Sequence, residues 1–410
     1  MHLSFSLFEV LLIIGITHGF VIASSIWLNK KRGVSKFLLS LVLTVFNLLC
    51  IKILIVSSEI WQIPVFRYLP LAFELAIQPL IWLFILSLTK SDFYLQRKYL
   101  WHFLPFAISF IYSLYIYIAV LSQKELAAKD VIANNFYFNN IKEAEDYLSI
   151  ISSILYWLLG LRLIIRYREW LYNNISNTNY QTYGWLKNVC ILMGILIAGL
   201  TIDIFLDYFF HFGSHHFLHW QLFFIYLAVL IYFIGFRGYQ LPDKQNIIAK
   251  NGYQQEILNL KYQDHKELIN NSDSSGKFEK QSVINNKETK LSYEKREQIK
   301  AEIIKAFEMK ELYLDPELNL QKLAKEISFS SAIVSAVINS QFGKNFRNLV
   351  NEYRVKKVMQ MLEDSAYKRF SILGVAYECG FNSEASFYRI FKEIVGISPK
   401  EYIKRLQSSK

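Results

Sequence analysis

The first 238 residues of this 410-residue chain consist largely of long apolar runs, and no other feature limits the possible folds as strongly. A helix that crosses a bilayer needs about 20 mainly apolar residues. Seven segments meet that demand: 7–28, 36–57, 68–89, 100–121, 147–166, 186–208 and 218–236. The first is expected to stay as an anchor, because its apolar stretch is too long for a cleaved leader and its basic cluster follows it. Cys50, Cys190 and Cys379 lie far apart without CxxC spacing, which points away from a disulfide framework or a thiolate zinc site.

Lysine and arginine in short loops are retained on the cytoplasmic side. One alternating set of loops, from Lys30, Lys31 and Arg32 through to Arg237, carries eleven basic residues, whereas the other set carries only Arg67, Lys124, Lys129 and Lys142. This predicts an outside N-terminus and a cytoplasmic chain beyond Arg237.

Charges within apolar spans are costly and face a bundle interior or a wet cavity, so Glu9, Lys52, Glu74, Arg162, Asp203 and Asp207 need a reason. Lys52 and Glu74 are expected as partners. Together with Asp203, Asp207 and His211 they form the candidate intramembrane sensor site, against the simpler account that they hold helices together. Four-residue steps place Asp203, Asp207 and His211 on one helix face, followed by His215, His216 and His219. Carboxylate and imidazole together suit zinc or iron, but there is no second histidine box. No metal and no cofactor is assigned. A transporter would show repeated, Gly/Pro-broken spans, and no such repeat is visible.

Residues 239–290 are rich in Asn, Gln, Lys and Ser, with eight basic and seven acidic residues. They read as a polar linker that buries too little to order itself, apart from a short helix expected within 246–262. From 291 to 410 the chain reads as water-soluble and helical, and it contains an internal near-repeat. Leu320, Leu323, Ala324 and Ile327 match Ile372, Val375, Ala376 and Cys379 at an offset of 52; Val334, Val337, Ile338 and Gly343 match Phe387, Ile390, Phe391 and Gly396 at 53. Each copy is a short helix, a tight turn and a second helix capped by Ser330 or Asn382, which is helix-turn-helix geometry. Residues 345–364 between the copies have helical periodicity and form a stiff connector. The fold class is therefore all-α: a seven-helix transmembrane bundle followed by a helical domain with two helix-turn-helix units.

The second unit, GFNSEASFYRIFKEIVGISPKEY, and the first, with LQKLAKEISFSS and FGKNFRNLVNEYRVKKV, resemble the DNA-binding domain of the AraC/XylS family of transcription regulators. The likeness covers about a quarter of the chain. The whole arrangement is similar, more loosely, to membrane-bound AraC-type regulators of bacteria. A recognition helix enters the major groove with its exposed N-terminal face toward base edges. In the second unit that face holds Glu384, Tyr388, Arg389 and Lys392, with Arg389 the first choice for a guanine contact. In the first unit it holds Ser331, Ser335 and Asn339, where Ala336 replaces the basic residue common in the family. Backbone amides after Lys344 and Ser398 are expected to meet phosphate. The net charge of +5 from Leu291 onward is modest for a DNA binder.

The reading is a non-enzymatic, sequence-specific transcription regulator anchored in the bacterial inner membrane. Its expected partners are double-stranded promoter DNA, the lipid bilayer and an unknown small-molecule or membrane signal, with room for RNA polymerase and a second copy of the chain. The alternative is a membrane enzyme or transporter with a fused regulatory DNA-binding domain.

Overall fold

A computed structural model describes residues 6–29, 33–90, 93–176, 181–210, 218–240, 293–364, 366 and 369–408. Among these the chain is helical throughout, with one isolated β-bridge between Ile175 and Asn319. It divides into two compact units: residues 1–167 with 182–250, and residues 168–181 with 251–410.

The first unit holds α1 (Leu7–Leu28), α2 (Val34–Ser57), α3 (Glu74–Thr89), α4 (Leu104–Val120), α5 (Leu126–Asn135) and most of α6 (Phe138–Asn174) and α7 (Gln181–Phe210), then α8 (Leu218–Gln240). Helices α1, α2 and α8 pack against one another, and α3 packs on α2. Six helices among the described residues are long and apolar enough to cross a membrane. The third expected span is shorter than its sequence suggests. Residues 68–73 are not helical, because Tyr68 takes a left-handed φ of 63° and Pro70, lacking an N–H, sets its predecessor toward extended backbone. The remaining 16-residue α3 is about 24 Å long, below a hydrocarbon thickness of about 30 Å. By contrast α6 runs 37 residues, well beyond the expected 147–166, and α5 is a helix the apolar runs did not signal.

Polar groups in this unit are largely bonded to each other, as an apolar medium requires. Ser6 caps α1 and forms a capping box with Glu9, whose second carboxylate oxygen accepts a 2.9 Å bond from Ser57 Oγ on α2. That bonding accounts for Glu9. Gln78 Nε2 on α3 donates to Ser153 Oγ on α6 at 3.0 Å. In the connecting segments Arg67 grips Asp130 through three bonds of 2.7–2.9 Å, and Lys129 donates to the Pro64 carbonyl at 2.7 Å.

In the second unit, α9 (Tyr293–Glu308), α10 (Leu320–Glu326), α11 (Ser331–Phe342), α12 (Phe346–Glu363), α13 (Ile372–Glu378), α14 (Glu384–Val395) and α15 (Pro399–Ser408) follow in order. Two separate cores share α12. Its first half gives Phe346, Leu349 and Val350 to a core with Ile299, Ile303, Leu323 and Val334. Its second half gives Val355, Val358 and Met361 to a core with Val375, Phe387 and Phe391. The repeated apolar positions fill these cores, and Gly343 and Gly396 end the matching helices α11 and α14 at left-handed φ of 65° and 86°.

Residues 239–240 close α8, and the rest of the expected linker, with its short helix over 246–262, lies outside the described residues. One capping assignment is corrected. Ser330 caps α11 as read, but α14 is capped by Ser383, whose Oγ accepts from Ser386 N at 3.5 Å, and Asn382 lies one residue before.

Gly380 turns the chain between α13 and α14 at φ 86°, and a Cβ there would stand 2.7 Å from the Tyr313 carbonyl oxygen and 2.8 Å from that of Leu314. Both obstacles are backbone. Gly380→Ala should therefore lower the stability of the second unit by roughly 2–4 kcal/mol, read as lost hydrogen-exchange protection in α13 and α14 while α1–α3 stay protected. Unchanged protection would show that the turn tolerates a side chain.

Candidate functional site

Each helix-turn-helix pair turns one helix outward. On α14, Phe387, Ile390 and Phe391 are buried, whereas Glu384, Arg389 and Lys392 are exposed, so the amphipathic spacing alone fixes which side chains can leave the domain. Tyr388 is half-buried against the second core. Arg389 donates to Glu393 Oε2 at 3.3 Å, but both side chains are more than half exposed, and such a pair is worth little against a nucleic-acid partner. On α11, Asn339 is exposed and Ser331 and Ser335 are half-buried, over the buried Val334, Val337 and Ile338.

Two further helix starts flank these faces. Asn345 caps α12 by accepting from Asn348 N at 2.9 Å, next to an exposed Lys344 that pairs with Glu352. Ser398 caps α15, accepting from Glu401 N at 3.2 Å.

Between the two faces lies a buried cation that the sequence did not mark. Arg354, mid-way along α12, is 2% exposed and lies between the two cores. Its Nε donates to the Tyr313 carbonyl and its Nη2 to the Asp315 carbonyl, both at 2.7 Å, and Nη2 also reaches Ser176 Oγ at 3.3 Å. The guanidinium stands 5.9 Å from the Phe381 ring centre. Burial pushes its pKa down to about 10, so it stays charged at neutral pH. Residues 168–176 form part of the same unit: Ser176 Oγ donates to the Leu318 carbonyl, and Arg347 stacks over Tyr172 at 4.7 Å. Tyr172, Arg347, Arg389 and Glu393 line one cleft.

Two carboxylates of the turn before α10 sit below their usual range. A hydrogen bond from Lys357 lowers Glu311. For Asp315, burial works upward but is outweighed by bonds from Lys322 Nζ and Glu317 N, both 2.8 Å.

In the membrane unit, Lys52 and Glu74 do form an ion pair. Asp207 accepts from Trp220 Nε1 at 2.7 Å, and from His219 Nε2 at 2.9 Å when that nitrogen carries the proton. Asp203 is buried and its Oδ2 accepts no bond among the described residues. The expected five-residue site thus divides into two groups. His211, His215 and His216 lie outside the described residues, and among those described no group of three or more His, Cys, Asp or Glu could hold a metal ion. The sequence reading missed Asp146, Gln78 and Ser153, which line a cavity with Lys52 and Glu74; only the amphipathic start of α6 could have flagged Asp146.

Residues 323–405 match the helix-turn-helix domain family of AraC type. Over 87 residues the chain is 29% identical to the HTH-type transcriptional activator RhaS of Mannheimia succiniciproducens, covering 21% of this chain and 31% of that protein. Over 92 residues it is 30% identical to an uncharacterized HTH-type transcriptional regulator of Staphylococcus aureus, covering 22% of this chain and 12% of the relative. The chain thus spans less than a third of the length of the relatives it matches, and the likeness is confined to the helix-turn-helix part. No solved structure matches the chain significantly.

Arg354→Met removes the donors to two buried carbonyls while keeping similar bulk. It should cost roughly 2–5 kcal/mol of second-unit stability, measured by hydrogen exchange, and a loss below 1 kcal/mol would deny Arg354 its role in tying α12 to the turn before α10. Glu311 and Asp315 have lowered pKa values in the folded state, so their contribution is complete at neutral pH and disappears as pH falls through the acidic carboxylate range. Acid melting of the second unit should be shallower in Asp315→Asn than in the parent chain.

Proposed function

We propose that the chain, which ends in an AraC-type helix-turn-helix domain, is a membrane-anchored one-component transcription regulator. Its membrane unit senses a signal and its C-terminal domain reads promoter DNA on the cytoplasmic side. The observation that carries this reading is the pair of recognition helices, α11 and α14, each with an exposed polar face and both fixed to the single helix α12. A fixed pair suits adjacent major grooves, whose repeat is about 34 Å.

The two faces differ in what they can read. Arg389 and Lys392 on α14 supply charged donors for guanine and phosphate, while Ala332, Ala336 and Asn339 on α11 suit thymine methyls and adenine. The second unit gives most of the polar specificity; the first favours A·T-rich sequence. Lys344 and the amides that begin α12 and α15 hold the backbone, carrying affinity without sequence information.

Helix α6 bears Asp146, Ser149 and Ser153 in the first unit, and its last residues, Tyr172 among them, belong to the second. The excess of lysine and arginine in one set of loops supports a cytoplasmic C-terminal domain on a bacterial inner membrane, with a second copy of the chain or RNA polymerase as a further partner. Transcriptional control of this kind needs no catalytic step.

The test is operator binding by the full chain in nanodiscs, after genome-wide mapping has supplied the operator. Arg389→Ala should lower specific affinity by about 1–3 kcal/mol and relax preference at one base pair, whereas Lys344→Ala should weaken binding to all sequences and reduce the salt slope by about 1. Retention on the operator that ignores both substitutions and salt would favour a protein-interaction module instead.

A further inference from the structure

The membrane unit encloses a cavity of about 320 Å³, within the range of small-ligand sites. Most of its wall is apolar: Leu49, Ile53, Leu200 and Ile204 line it, with Trp220, Phe223 and Phe224 from α8. One end is polar, formed by Lys52, Glu74, Gln78, Asp146, Ser149 and Ser153. These polar residues come from the last third of α2, the start of α3 and the early part of α6, and Trp220 from the start of α8. In a bundle crossed alternately, all of those lie toward one membrane face, the face opposite the basic loops.

The polar end has more acceptors than donors. Lys52 bonds one oxygen of Glu74; the other oxygen, Oε2, accepts nothing among the described residues. Gln78 is 8% exposed, its Nε2 is spent on Ser153, and its Oε1 has no partner. Ser149 Oγ donates to the Asp146 carbonyl instead of into the cavity. Neighbouring Glu145 is already bonded by Ser109 and Lys142. The lining side chains therefore carry one positive charge against two negative ones, with at least two buried oxygens lacking a donor. An unmet acceptor in such a place costs about 1–3 kcal/mol, so a guest that brings donors regains it. A carboxylate guest would add repulsion in a low-dielectric site.

Resting on the sensor reading above, we propose that this cavity binds an amphiphile with a cationic amine head and an apolar body. The head lies between Asp146, Glu74 Oε2 and Gln78 Oε1, beside the ring of Trp220, and the body lies along Leu200, Ile204 and Phe223. The amine's three N–H groups suit these three acceptors, of which Glu74 Oε2 and Gln78 Oε1 are buried and Asp146 is the exposed one.

The probes are n-octylamine, n-octanol and octanoate, titrated into the full chain in phosphatidylcholine nanodiscs and followed by tryptophan fluorescence and thermal melting. Octylamine should saturate about tenfold tighter than octanol, the worth of one charge-assisted bond, and octanoate should not saturate. Asp146→Asn should bring octylamine and octanol together. Gln78→Glu should widen their separation, so a variant that gains preference stands beside one that loses it. Equal responses to all three probes, or an amine preference unchanged by both substitutions, would overturn the proposal. Operator binding is measured on the same samples. If it is absent while the amine preference holds, the regulator reading fails and the binding site stands.

Discussion

A single buried cation ties the central helix of the helix-turn-helix unit to the turn before α10. The Arg354 guanidinium lies between two small cores, each of which could pack without the other, and satisfies carbonyls of the turn before α10. Removing a charge from water is expensive, and only well-placed bonds offset the cost. Those bonds tie the middle of α12 to residues 313–315. Apolar contacts supply most of the stability, since burying the side chains of Phe387, Phe391 and Val358 contributes about 1.5–3 kcal/mol each. The polar centre fixes how α12 lies against the turn before α10.

The first unit, with six described helices long and apolar enough to cross a membrane, follows the same rule: Glu9 is held by Ser6 and Ser57, and Gln78 is tied to Ser153. Among the described residues several buried groups depart from that rule, the side chains of Asn47, Ser113, Asp203, Glu74 and Gln78 among them. Glu74 and Gln78 line one cavity, where a guest can supply the donors that their oxygens lack.

Much of this was legible in the chain itself. The two offsets, 52 and 53, identified the matching core positions and paired Gly343 with Gly396 as helix ends, because burial at 3.6-residue spacing writes itself directly into apolar periodicity. The exposed faces of α11 and α14 followed from the same pattern, although Tyr388 turned partly inward. Long-range bonding was not legible. Nothing in NEYRVKKV separates the buried Arg354 from its exposed neighbour Lys356, since its partners are backbone carbonyls some forty residues earlier. Apolar content likewise misjudged the third span: hydropathy counts side chains, while Pro70 and the left-handed Tyr68 act on the backbone. Ser383 displaced Asn382 as a cap, a one-residue difference that composition does not resolve.

Tyr172 and Ser176 belong to the DNA-binding unit although they close a helix that begins in the membrane unit. Within that unit Arg347 covers Tyr172 and Arg354 reaches Ser176, so residues 168–176 are part of the fold of the helix-turn-helix pair and peeling them away would strip two arginines of their partners.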